Sequence, residues 1–123
     1  MQRRPDVIIL LIGLGVGLLG PPPARAHAFL AHAEPRVGST GHTAPAAVSV
    51  TFTEPVEPSF CRVDVRDAHG QAIGAGVLEH PKPDELRLPL PPLAAGDYTV
   101  HWTVISVDTH QTEGRFEFTV APP

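Results

Sequence analysis

Asp108 and His110 stand one residue apart in the run Asp108-Thr109-His110. In an extended chain positions i and i+2 face the same way, so a carboxylate oxygen and an imidazole nitrogen are expected to converge on one ion. Two donors fall short of the four that a tetrahedral site takes, and His27 is the residue expected to add the rest. It follows Ala24-Arg25-Ala26, the small-x-small pattern at which an export signal is cut. Cleavage after Ala26 makes His27 the N-terminus, where the α-amine and imidazole Nδ1 of one residue close a six-membered chelate ring. The free amine titrates near pH 7.7 to 8.0, so a metal displaces its proton at modest cost near neutrality. Three nitrogens and one oxygen suit tetragonal Cu(II). Zn(II) takes the same ligand types in a tetrahedral arrangement.

The segment before His27 has the three parts of a secretory signal. Arg3 and Arg4 supply positive charge, Val7 to Leu19 is an apolar run, and Pro21-Pro22-Pro23 interrupts the chain before the cut. The run is short for a membrane span of about 20 residues. The expected organisation is therefore a cleaved signal peptide, residues 1–26, and one working domain, residues 27–123, outside the cytoplasm. The whole chain of 123 residues carries 9 basic and 13 acidic side chains. Losing Arg3, Arg4, Arg25 and Asp6 leaves six and twelve, a formal charge of −6. Such a surface repels phosphate backbones and attracts cations, which excludes nucleic acid as the expected partner.

These side chains need a scaffold, and the pattern of the working domain is that of strands. With 15 Pro and 11 Gly, long helices are disfavoured, because Pro breaks a helix interior at about 3 kcal/mol. Val48, Val50 and Phe52 alternate with polar residues, as do Leu86, Leu88 and Leu90; Tyr98, Val100, Trp102 and Val104; and Phe116, Phe118 and Val120. Period two marks half-buried strands. Further strands are expected at Phe29 to Ala33, from Cys61 to Arg66 and near Val77, about seven in all. Turn chemistry separates them at Gly38 to Gly41, Ala68-His69-Gly70, His80 to Pro83 and Ala95-Gly96-Asp97. The fold class expected is all-β, a Greek-key sandwich. Tyr98, opening a strand after Gly96-Asp97 with Leu93 upstream, fits a tyrosine corner. Lone Cys61 forms no internal disulfide and is expected as a buried thiol beside Val63 and Val65. His42, His69, His80 and His101 are expected on the surface.

Several segments match a known family in order. His27-Ala28-Phe29-Leu30 with Glu34-Pro35 and Gly38, the run Val50 to Glu57, Gly96-Asp97-Tyr98-Thr99-Val100-His101-Trp102, Ser106-Val107-Asp108-Thr109-His110 and Gly114 to Phe118 resemble the CopC family of periplasmic copper-binding proteins. The likeness runs over nearly all of residues 27–121. It implies a β-sandwich holding Cu(II), one ion per mature chain, through the amine and imidazole of His27, the imidazole of His110 and the carboxylate of Asp108. Some members carry a second, Met-rich Cu(I) site. Here the only Met is Met1, which leaves with the signal, so the soft thioether ligands of Cu(I) are missing and a Cu(II)-only member is expected. Thr109 and Gln111 stand where the family often has Gly and Pro, and His32 where it more often has a small residue. In an extended strand His32 would point away from His27. Glu54 and Glu57 are expected as exposed strand-end carboxylates that supply nearby negative charge at most.

The resemblance implies a monomeric carrier for copper homeostasis or resistance, handing the ion to a CopD-like membrane transporter, and no enzyme. Two other functions start from the same residues. An N-terminal histidine with a second imidazole resembles the copper brace of polysaccharide monooxygenases, but Trp102 and Tyr98 fall on the expected core face, and Asp108 would fill a coordination position. The other is a metal-free sandwich used for protein contacts.

Overall fold

The computed structural model describes Gly17, residues 28–74 and residues 76–123. His27 and the expected cleavage point lie outside the described residues. The described residues form eight strands: β1 Leu30–Glu34, β2 Thr40–Gly41, β3 Ala47–Phe52, β4 Arg62–Arg66, β5 Glu79–Lys82, β6 Glu85–Pro89, β7 Gly96–Ile105 and β8 Gln111–Val120. They make two four-stranded sheets, ordered β1-β3-β6-β5 and β2-β8-β7-β4, the β-sandwich expected from the pattern. A single 3-10 turn, Pro58–Phe60, precedes β4. Among the described residues no helix is long and apolar enough to cross a membrane.

Alternation decides what each sheet buries. Val48, Val50, Phe52, Leu86 and Leu88 of one sheet meet Val65, Tyr98, Val100, Trp102, Val104, Phe116, Phe118 and Val120 of the other. Burying each such side chain contributes about 1.5–3 kcal/mol before entropy is counted. Phe52 packs edge-on against Trp102 across the sheets at 5.1 Å between ring centroids. Tyr98 stacks on Phe118 at 5.3 Å, and its hydroxyl donates to the Ala94 carbonyl at 2.6 Å, completing the tyrosine corner. Trp102 pairs with Gly114 across β7 and β8. A Cβ at 114 would stand 2.5 Å from the indole Cζ2, so the ring occupies the space that a side chain there would need.

Three expectations about elements are corrected. Val77 itself is exposed and outside any strand. The strand expected near it begins two residues on, at Glu79–Lys82, overlapping the stretch expected to turn, with all four residues exposed on a sheet edge. The two-residue β2, parallel to the end of β8, lies where only a turn was expected and brings the strands to eight. Cys61 is buried as expected but stands just before β4, where its thiol donates to the Glu57 carbonyl at 3.1 Å. Burial pushes that thiol above its ordinary range, a backbone hydrogen bond with Ile105 opposing and the Glu57 charge adding to the effect.

Candidate metal centre

β7 and β8 pair along their whole lengths, from Gly96 opposite Val120 to Ile105 opposite Gln111. The residues 106–110 that join them carry Asp108 and His110. This is a correction to the sequence reading. The strand from Tyr98 ends at Ile105, and the two donors converge through a turn rather than through extended i, i+2 alternation. The turn is closed by Ser106 N–H to the His110 carbonyl at 3.0 Å and Thr109 N–H to the Ser106 carbonyl at 2.8 Å. Thr109 sits at φ 73°, the left-handed region that a β-branched residue rarely adopts. A Gly at that position would adopt it freely.

Within the turn, Oδ1 of Asp108 is 3.3 Å from Nδ1 of His110 and accepts a short hydrogen bond from the hydroxyl of Ser106. The Ser106 hydroxyl holds the Asp108 carboxyl below the usual carboxylate range; desolvation opposes it, and the His110 imidazole and amide add to it. The carboxylate is therefore ionised at neutral pH. Two donors each about 2.0–2.2 Å from a shared ion stand roughly 3 Å apart when adjacent, so the observed separation fits one metal between them. The side chains of Asp108 and His110 are 38% and 51% exposed, which leaves a metal open to exchange. A groove of about 710 Å³ runs along β4 past Arg62, Asp64 and Leu78 and includes neither residue.

Two neighbouring segments are tied to this turn. Val107 N–H donates to the Pro55 carbonyl at 3.1 Å and Glu57 N–H to the Ile105 carbonyl at 2.8 Å, with Val56 bridged to Ser106. Glu57 is exposed and Glu54 half-buried on that loop. The start of the fold arrives at the same end. Ala28 is fully buried, and its carbonyl accepts the Thr112 hydroxyl at 2.6 Å. Phe29 N–H donates to Thr53 Oγ1 at 3.0 Å, and Thr53 N–H to the Phe29 carbonyl at 2.8 Å. His27 itself lies outside the described residues, and among those described no group of three His, Cys, Asp or Glu side chains gathers.

The remaining histidines are accounted for separately. His32 follows a register shift in β1, so simple alternation fails there. Its Nε2 is 3.2 Å from Glu34 Oε1, both side chains being exposed. His42, His69, His80 and His101 are exposed as expected. Sequence reasoning passed over two residues, Ser106 and Thr112. The signal for Thr112 is present: it is a polar residue in phase with Phe116, Phe118 and Val120 on the inward side of β8. For Ser106 it is a Ser two residues before an Asp, a spacing that favours side-chain turns.

A CopC domain model matches residues 30–121. Protein YobA of Escherichia coli (strain K12) is 33% identical over 102 residues, 80% of this chain and 82% of its own. Copper resistance protein C of Pseudomonas syringae pv. tomato is 31% identical over 128 residues, 98% of each chain. Copper transport protein CutJ of Bacillus subtilis (strain 168) is 29% identical over 98% of this chain, which spans only 22% of that longer protein. Among solved structures, the crystal structure of CopC from Methylosinus trichosporium OB3b superposes with a TM-score of 0.72 at 38% identity, covering 78% of this chain and 95% of that one. The structure of PcoC, a methionine-rich copper resistance protein from Escherichia coli, superposes at 0.71 with 28% identity, covering 77% and 99%.

Proposed function

The chain belongs to the CopC family, and from that premise we propose that it is exported, loses residues 1–26, and binds one Cu(II) as a monomer through His27, Asp108 and His110. The observation that carries the reading is the anchoring of Ala28 by Thr112, two residues after His110 and so within about 7 Å of it along the chain. The Cα of residue 27 is within about 3.8 Å of that of Ala28. A chain cut before His27 would therefore begin beside an Asp108–His110 pair whose 3.3 Å separation suits a shared metal.

The role is carriage or sequestration of Cu(II) outside the cytoplasm for copper homeostasis or resistance, without catalysis. Oxidase chemistry is disfavoured because Trp102 and Tyr98 are core residues and Asp108 would take a coordination position. The lack of any Met after Met1 supports a Cu(II)-only protein, in contrast to the methionine-rich PcoC. The acceptor is a CopD-like membrane copper transporter. A domain like this one forms 22% of a longer copper transport protein, which supports that pairing.

The test compares protein beginning at His27 with protein carrying one added Gly before it. The extra residue turns the amine into an amide and breaks the chelate ring while leaving the imidazole intact. Competition with a chelator at pH 7 should show Cu(II) binding weaker by several orders of magnitude in the extended form. Equal affinities would refute the role of the amine, and mass spectrometry of the exported protein starting anywhere but His27 would refute the cut.

A further inference from the structure

We propose that Ser106 is a positioning residue of the copper site: its buried hydroxyl donates to Oδ1 of Asp108, the oxygen 3.3 Å from Nδ1 of His110, and so fixes the carboxylate beside the imidazole. The inference rests on the function proposed above and adds a residue that the ligand set does not contain. Ser106 is 1% exposed, the one fully buried polar side chain among the described residues. A hydroxyl has one proton, and among the described residues Oδ1 of Asp108 and the His110 carbonyl at 3.2 Å are acceptors within its reach. The carbonyl already receives Ser106 N–H at 3.0 Å. The carboxylate is charged, and charge-assisted hydrogen bonds are roughly twice as strong as neutral ones. The proton therefore lies toward Asp108.

Ser106 is itself fixed. Its carbonyl accepts Thr109 N–H, it is bridged to Val56, and the next residue, Val107, is bonded to Pro55. A half-exposed aspartate on a turn would otherwise rotate freely in water. Tethered at Oδ1 to a rigid buried group, its carboxylate is held in one orientation beside His110. The cost of ordering that ligand is met when the protein folds, before metal arrives. Partners of this kind, one bond removed from the metal, typically change metal affinity by about 10–100-fold when lost.

The experiment uses protein beginning at His27, with Cu(II) as the probe. Ser106→Ala should weaken Cu(II) binding about tenfold or more in chelator competition and change the copper hyperfine splitting in the electron paramagnetic resonance spectrum. In metal-free protein it should alter the Asp108 carboxyl carbon shift. Ser106→Cys, close in size and still a donor, keeps the test open if the Ala variant folds poorly and should fall between the two. In an Asp108→Ala background, Ser106→Ala should cause no further loss of affinity. Wild-type affinity and spectrum in Ser106→Ala would overturn the proposal, as would an equal loss with and without Asp108, which would mean that Ser106 acts only through the fold. If the unsubstituted protein bound no Cu(II), the proposed function would fall and this inference with it. Normal binding there with an indifferent Ser106→Ala overturns this inference alone.

Discussion

Thr112→Val tests whether the hydroxyl that anchors Ala28 prepares the site. Valine has nearly the shape of threonine, so packing on the inward side of β8 is kept and only the 2.6 Å hydrogen bond to the Ala28 carbonyl is lost. Because Ala28 is fully buried, water cannot replace the donor without the chain end opening. Leaving a buried acceptor unsatisfied costs about 1–3 kcal/mol. In a domain of this size 1 kcal/mol moves the melting temperature by about 4–8 °C, so a fall on the order of 5–15 °C is expected. If the chain end opens instead, the copper site must re-order it on binding. About 1.4 kcal/mol of that cost weakens Cu(II) binding tenfold. Calorimetry and chelator competition on protein beginning at His27 read the two effects, and Thr112→Ser, which keeps the donor, should recover most of both. Exchange of the Thr53 amide, bonded to the Phe29 carbonyl, should quicken in the Val variant only. Unchanged melting and unchanged affinity in Thr112→Val would refute the anchoring role and remove the main support for placing the chain start at the site.

Gly114→Ala should destabilise by about 1–3 kcal/mol through overpacking, since its Cβ would lie 2.5 Å from Trp102 Cζ2; a lower melting temperature with an altered near-ultraviolet circular dichroism of Trp102 is the readout. Thr109→Asn should stabilise by up to about 1 kcal/mol, because asparagine tolerates the φ of 73° better than a β-branched residue, seen as a melting temperature a few degrees higher. Burial raises the pKa of Cys61 in the folded state. Its contribution is therefore full below the ordinary thiol pKa of about 8.5 and is lost as pH rises through that value toward the folded one. Melting temperature should fall on the alkaline side in the native protein, and Cys61→Ala should flatten that part of the slope.

Much of the sandwich is legible in the sequence because its inner strands face a core on one side and water on the other. Val48-Val50-Phe52 and Tyr98-Val100-Trp102-Val104 state that division residue by residue. Glu79–Lys82 escapes the same reasoning because an edge strand with every residue exposed carries no alternation, and Pro81 sits there as prolines do on edges. The donor pair is legible as residue types but not as geometry. Asp108 and His110 meet through backbone bonds of a turn that includes a left-handed threonine, which no hydrophobic period encodes. Ser106 continues the inward phase of Tyr98, Val100, Trp102 and Val104, but its partner Asp108 is brought to it by the turn, which that phase does not show.

The placement of the donors on a hairpin has a consequence for the order in which the molecule assembles. Residues 106–110 close β7 onto β8 across five residues, whereas the bond between Thr112 and Ala28 spans 84. Loop closure over the longer span costs roughly 2.5 kcal/mol more in chain entropy, so bringing Asp108 to His110 asks far less of the chain than bringing Ala28 to Thr112. The beginning of the chain is synthesised first, yet its anchor to Thr112 must wait for a residue 84 positions later.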